Sequence, residues 1–213
     1  MNKKMKKKLG ISLCLLAMFA LWTVLIRLVD VQAIGPRGST VGFATLNGYV
    51  HTLIGEHMPL YTVTDWLGLV PIAVALGFAV LGLVQWIRRK RLCEVDRSIL
   101  VLGGFYIAVM AVYVLFEMLV VNYRPVLING YLEASYPSST TMLVMCVMPT
   151  AMMQWDVRVK NKVFRRCVCG IVIAFIALMV IGRLISGVHW LTDIIGGGLL
   201  SAGLVMMYAS FVT

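Results

Sequence analysis

Charge is scarce in this chain. Only 13% of its 213 residues are charged, and just 9 are acidic. No cluster of carboxylates calls for a bound metal ion, and nothing in the sequence requires a cofactor. The five cysteines, Cys14, Cys93, Cys146, Cys167 and Cys169, fall outside the outer loops of the topology derived below. A disulfide framework is therefore not expected, and Cys-x-Cys at 167–169 is not a zinc pattern. Basic residues are not interleaved with aromatics in the way that grips single strands, so nucleic acid is not an expected partner. Internal repeats and low-complexity linkers are absent too, which leaves one domain over residues 1–213.

What the chain has in excess is apolar surface. It is 61% hydrophobic, more than a soluble domain of this size can hide, because small domains leave much of their surface in contact with solvent. A lipid bilayer is the natural solvent for that excess. Six apolar runs have about the length needed to cross a bilayer as helices: residues 9–28, 67–87, 99–121, 138–155, 168–185 and 191–212. The expected fold is all-α, a six-helix transmembrane bundle.

The formal charge of +10 sits in clusters between these runs. Lys3, Lys4, Lys6, Lys7 and Lys8 precede the first. Arg88, Arg89, Lys90, Arg91 and Arg97 join the second to the third. Arg158, Lys160, Lys162, Arg165 and Arg166 join the fourth to the fifth. With six spans all three clusters fall on one side, and the positive-inside rule makes that side cytoplasmic. Both termini are then cytoplasmic in a multi-pass protein of the cell membrane. The first run is longer than the apolar region of a signal peptide and is read as a span. In the loop 34–65, Leu46, Tyr49, Val50, Leu53 and Ile54 recur at helical spacing. They predict a short amphipathic helix, either in the membrane interface or packed as a lid over the bundle.

Three polar clusters fall at the outer ends of spans three to six: Asn122-Tyr123-Arg124-Pro125, Tyr136-Pro137-Ser138-Ser139-Thr140-Thr141, and the stretch from Arg183 to Asp193. Each has a plain reading by itself. The arginines could snorkel to the headgroups, Pro-Ser could simply start and cap a helix, and His189 with Asp193 could be a polar pair that orients one. Topology nevertheless brings all three to the same side of the membrane. A helix N-terminus offers free N–H groups to a phosphate, and Arg124 and Arg183 add forked donors. His189 and Asp193 stand at i and i+4, where a carboxylate on one ring nitrogen leaves the other free to attack. Together these groups make a phosphoryl-transfer site.

The order Arg-Pro, Pro-Ser and Arg-x5-His-x3-Asp resembles the type 2 phosphatidic acid phosphatase (lipid phosphate phosphatase) family. Its motifs are Lys-x6-Arg-Pro, Pro-Ser-Gly-His and Ser-Arg-x5-His-x3-Asp, and the resemblance covers residues 117–193. It implies a metal-independent enzyme that hydrolyses a lipid phosphate or diphosphate at the outer face of the membrane. His189 would be the nucleophile that forms a phosphohistidine, and Asp193 would orient it. Arg124, Arg183, Ser138 and Ser139 would cradle the phosphate. Bacterial members commonly act on undecaprenyl diphosphate, phosphatidylglycerol phosphate or phosphatidic acid.

The chain departs from the motifs at several positions. The family lysine falls on Glu117, the motif glycine and histidine on Ser139 and Thr140, and the serine before Arg183 on Gly182. The missing histidine would protonate the leaving oxygen, a contribution of about 10²–10⁴-fold. Thr140 could offer only a weak hydrogen bond there. A diphosphate has a less basic leaving group than a monoester, so undecaprenyl diphosphate is the expected substrate. The alternatives are a catalytically weakened lipid-phosphate binding protein and a phosphotransferase to another lipid. Glu117 is expected within the apolar zone, paired with Arg124 or Arg183, protonated as a proton donor, or binding a cationic group.

Overall fold

A computed structural model describes residues 3–212. Eight α-helices account for most of them: α1 (Lys3–Leu28), α2 (Ala44–Ile54), α3 (Met58–Leu67), α4 (Leu69–Arg89), α5 (Arg97–Leu119), α6 (Ser139–Arg158), α7 (Lys162–Ile185) and α8 (Leu191–Val212). The all-α expectation holds among the described residues.

Local chemistry sets several of the helix ends. The Asn161 side chain accepts hydrogen bonds from the Val163 and Phe164 amides and so starts α7 ahead of its apolar run. Helix α2 stops at Gly55, whose φ of 75° suits glycine. Proline in the first turn of α3 fits a position where an amide hydrogen would have no helical partner. Helix α3 was not foreseen. Residues expected to form loop up to 65 instead wind into a helix that bends at Gly68 and runs on into α4.

Five stretches among the described residues are long and apolar enough to cross a membrane: α1, α3 with α4 (Met58–Arg89), α5, α7 and α8. The sixth expected span, α6, falls short of that mark for a physical reason. It carries Thr140, Thr141, Thr150 and Gln154, all buried, and it packs against α4, α5, α7 and α8. A helix enclosed by others does not need the apolar exterior that lipid demands. Its 20 residues rise about 30 Å, the thickness of a hydrocarbon core.

Helix α8 is the other inner element. It lies along α1 and beside α6, and Ser12 in α1 donates to the Gly203 carbonyl at 2.7 Å. By contrast, α1, α4, α5 and α7 turn large apolar side chains outward, among them Leu21, Leu76, Ile107 and Ile171. The short helix expected in the first long loop is α2. Its Asn47 is buried and donates to Thr192 Oγ1 at 3.0 Å, docking α2 on the start of α8. Leu46, Tyr49 and Leu53 face outward.

The two ends of the bundle differ in charge. At one end Lys8 reaches the Ala209 carbonyl (3.4 Å), and Arg89 and Arg158 both face Asp96 (3.1 and 3.7 Å). All three basic clusters are represented there. The start of α8, with Asp193, lies at the opposite end.

Candidate functional site

Four chain segments meet at that opposite end. The 120–138 segment between α5 and α6 folds back on itself. The Arg124 amide donates to the Glu133 carbonyl (3.0 Å), and the Ser135 amide donates to the Asn122 carbonyl (2.9 Å). Ile128 and Tyr131 bond reciprocally around Asn129-Gly130, whose φ values of 51° and 81° give the tight hairpin turn typical of Asn-Gly. This hairpin places Arg124 and Ser135 side by side. The α7–α8 connection supplies His189 and Asp193, and α6 begins at Ser139.

Two glycines permit the assembly. Gly187 has φ +71°, and a Cβ there would meet the Gly55 carbonyl oxygen at 2.1 Å, so the α7–α8 connection sits directly on the α2–α3 connection. Gly196 gives α8 a flat face for the Tyr136 ring, which would lie 2.4 Å from an added Cβ. Tyr136 in turn immediately precedes Pro137 and the start of α6.

His189 is 3% exposed. Its Nε2 lies 3.4 Å from Arg124 Nη1, and its Nδ1 lies 3.2 Å from Ser135 Oγ. Arginine can only donate, so Nε2 is the acceptor and Nδ1 carries the hydrogen. Asp193 is wholly buried. Its Oδ2 accepts from the Ser135 hydroxyl and from the Trp190 amide (2.9 Å), and Asn122 approaches Oδ1 at 3.4 Å. The His189–Asp193 separation is 3.8 Å, too long for a hydrogen bond. The expected direct contact between these two is therefore replaced by a path through Ser135.

Burial pushes the His189 pKa down to about 4. The Arg124 and Arg183 charges add to that effect, and the nearby Asp193 carboxylate opposes it. The ring is neutral at pH 7, with a lone pair on Nε2.

Arg183 is 2% exposed. It donates to Thr140 Oγ1 (2.6 Å) and Thr64 Oγ1 (3.3 Å), pairs with Asp65 (3.2 Å), and lies over the Tyr61 ring at 4.8 Å. Thr140 thus fastens Arg183. With its oxygen engaged as acceptor, it keeps one hydroxyl proton to give elsewhere. Arg124 Nε pairs with Glu133 at 3.1 Å.

The Ser138 amide donates to the Asp193 carbonyl at 3.2 Å. That amide is therefore not available to a phosphate. The Ser138 hydroxyl, fully buried, does not cap α6 and has no protein partner; nor does the Thr141 hydroxyl or Arg183 Nε. Beyond Ser138, the first-turn amides of α6 have no partner within the helix. Ser139 and His189 line one narrow cleft together with Tyr113, Glu117, Ser135 and Pro137. Next to it a groove of about 380 Å³ runs from Asp65, Ser139 and Thr140 along apolar side chains such as Leu69, Ile72 and Met110.

Helix α5 ends at Leu119, with Glu117 in its last turn. Glu117 does not pair with either arginine, since their carboxylate partners are Glu133 and Asp65. It interacts instead with the Tyr113 side chain. Sequence reasoning missed Ser135, Glu133 and Asp65. The Asn129-Gly130 turn was the available signal for the first two, because it folds the chain after it back along Arg124; regular pairing outward from Ile128 and Tyr131 would set Ser135 opposite Arg124, and a shift of two residues sets Glu133 there instead. Among the described residues, no group of three His, Cys, Asp or Glu side chains could hold a metal ion.

No family model matches the chain, and no curated protein matches it. Among solved structures, it is similar to the crystal structure of a transmembrane PAP2-type phosphatidylglycerolphosphate phosphatase from Bacillus subtilis. That similarity covers 94% of each chain, with a TM-score of 0.53 and 20% sequence identity. The chain therefore shares the helical fold of a transmembrane protein, and with its five long apolar helices it is a multi-pass membrane protein.

Proposed function

We propose that this protein is a membrane lipid phosphatase of the type 2 phosphatidic acid phosphatase kind, acting on a lipid diphosphate through a phosphohistidine. The observation that carries the reading is the meeting of His189 Nε2 with Arg124, next to Asp193 and α6, within a fold shared with a PAP2-type phosphatase. The bundle holds six spans, with α6 and α8 innermost. Its basic end faces the cytoplasm, together with both termini, and the site faces outward.

In the proposed reaction a terminal phosphate binds between Arg124, Arg183, the hydroxyls of Ser138 and Ser139 and the first-turn amides of α6. Arg124 swings its Nη1 from His189 to a phosphate oxygen, which frees Nε2. Nε2 attacks the terminal phosphorus, and the bond to the bridging oxygen breaks. Lipid monophosphate departs. The ring becomes N-phosphorylated, while its Nδ1 hydrogen stays bonded to Ser135. Water then attacks the phosphorus, the P–N bond breaks, and inorganic phosphate leaves. The apolar groove beside Ser139 and Thr140 is suited to the lipid chain.

Thr140 supports the preference for a diphosphate. It is engaged with Arg183 and is a poor acid, so a strongly basic alkoxide would leave unaided. Undecaprenyl diphosphate is the proposed substrate. Phosphate release by the purified protein should be faster from it than from phosphatidic acid or phosphatidylglycerol phosphate, and should vanish in His189→Ala. Faster turnover of either monoester would overturn the substrate assignment. No release from any of the three, with the lipid still bound, would favour a binding protein. Transfer of label to an added lipid acceptor would favour a phosphotransferase.

A further inference from the structure

The proposed nucleophile is not held by its carboxylate directly. Ser135 is 2% exposed and stands between the two groups. Its oxygen is 3.2 Å from His189 Nδ1, and its hydroxyl reaches Asp193 Oδ2. A hydroxyl has one hydrogen to donate and lone pairs to accept with. Only one arrangement satisfies the three groups together: Nδ1–H donates to Ser135 Oγ, and Ser135 O–H donates to Asp193. Asp193 in turn is fixed by the Trp190 amide and approached by Asn122. The serine is fixed as well, because its backbone is paired to Asn122 across the hairpin.

We propose that Ser135 is a positioning residue, whose hydroxyl passes the orienting hydrogen bond of Asp193 to His189 and holds the ring with Nε2 bare. The inference rests on the reading of His189 as nucleophile for its catalytic consequence, but not for its geometry. Without the hydroxyl, Nδ1 faces Asp193 across 3.8 Å, and the ring can rotate or exchange tautomer. Outer partners that orient a metal-bound imidazole typically matter by about 10–100-fold, and the same orienting role sets the scale for His189.

The test uses the full-length protein in detergent, labelled with ¹⁵N-histidine. It has three histidines, and the spectrum of His189→Gln identifies the His189 signals. The wild type should show the tautomer with hydrogen on Nδ1. Ser135→Ala should convert it to a mixture, as should the closely isosteric Ser135→Cys, which guards against misfolding of the alanine variant. Ser135→Thr should restore it. In the phosphatase assay Ser135→Ala should lower kcat by about 10–100-fold with KM little changed. An unaltered tautomer in both Ser135→Ala and Ser135→Cys would overturn the proposal, as would a rise in KM at constant kcat. A tautomer change in a protein that releases no phosphate would retain the relay and reject the phosphatase reading.

Discussion

Lowering the pH probes the buried imidazole directly. In the unfolded chain a histidine titrates near 6.5; in this fold burial holds His189 at about 4. Above pH 6.5 the ring is neutral in both states, and its contribution to stability is complete. As the pH falls from 6.5 towards 4, the unfolded ring takes up a proton and the folded ring does not, so stability drops. Below about 4 both forms are protonated and the loss levels off. At 1.36 kcal/mol per unit, the whole window is worth about 3 kcal/mol. The assay is thermal unfolding in detergent between pH 7.5 and 4, comparing wild type with His189→Gln. The wild type should lose stability more steeply through this window, and the difference between the two should be flat above pH 7. Parallel curves, or a wild type that gains on the variant as the pH falls, would refute the buried neutral ring. Vanadate, a tetrahedral oxyanion, should raise the midpoint, because an anion beside the ring favours the imidazolium.

Two further outcomes follow from the site's surroundings. Glu117→Lys should raise phosphate release by about tenfold, ~1.4 kcal/mol of transition-state stabilisation, because it replaces a carboxylate on the His189 cleft with a cation; abolished activity would instead assign Glu117 a role of its own. Gly187→Ala should destabilise the protein by about 2–3 kcal/mol, since the added carbon meets the Gly55 carbonyl in a left-handed backbone; an unchanged melting temperature would show that the two connections are not packed as described.

Sequence by itself determined the long helices and where the polar chemistry lies along them. Apolar runs of membrane-crossing length recur regardless of their neighbours, because intrahelical hydrogen bonds satisfy the backbone locally. The spacing Arg-x5-His-x3-Asp likewise marks its own residues. Local signals also placed α2, whose apolar positions recur at helical spacing. They did not reveal α3, which lacks the length of a span and gains its register by laying Tyr61, Thr64 and Asp65 against Arg183.

Tertiary structure alone decided who partners whom. Asp65 and Arg183 are 118 residues apart, and Ser135 and Asp193 are 58 apart. Nothing within a few residues of either position fixes such a pairing. A pairing of Glu117 with Arg124 or Arg183 was one expectation, but the hairpin offers Arg124 the Glu133 carboxylate instead, and Arg183 pairs with Asp65. The place of the serine between His189 and Asp193 was not legible for the same reason. Its importance comes from a hairpin register and a glycine-tight contact between two connections, which only the folded chain brings together.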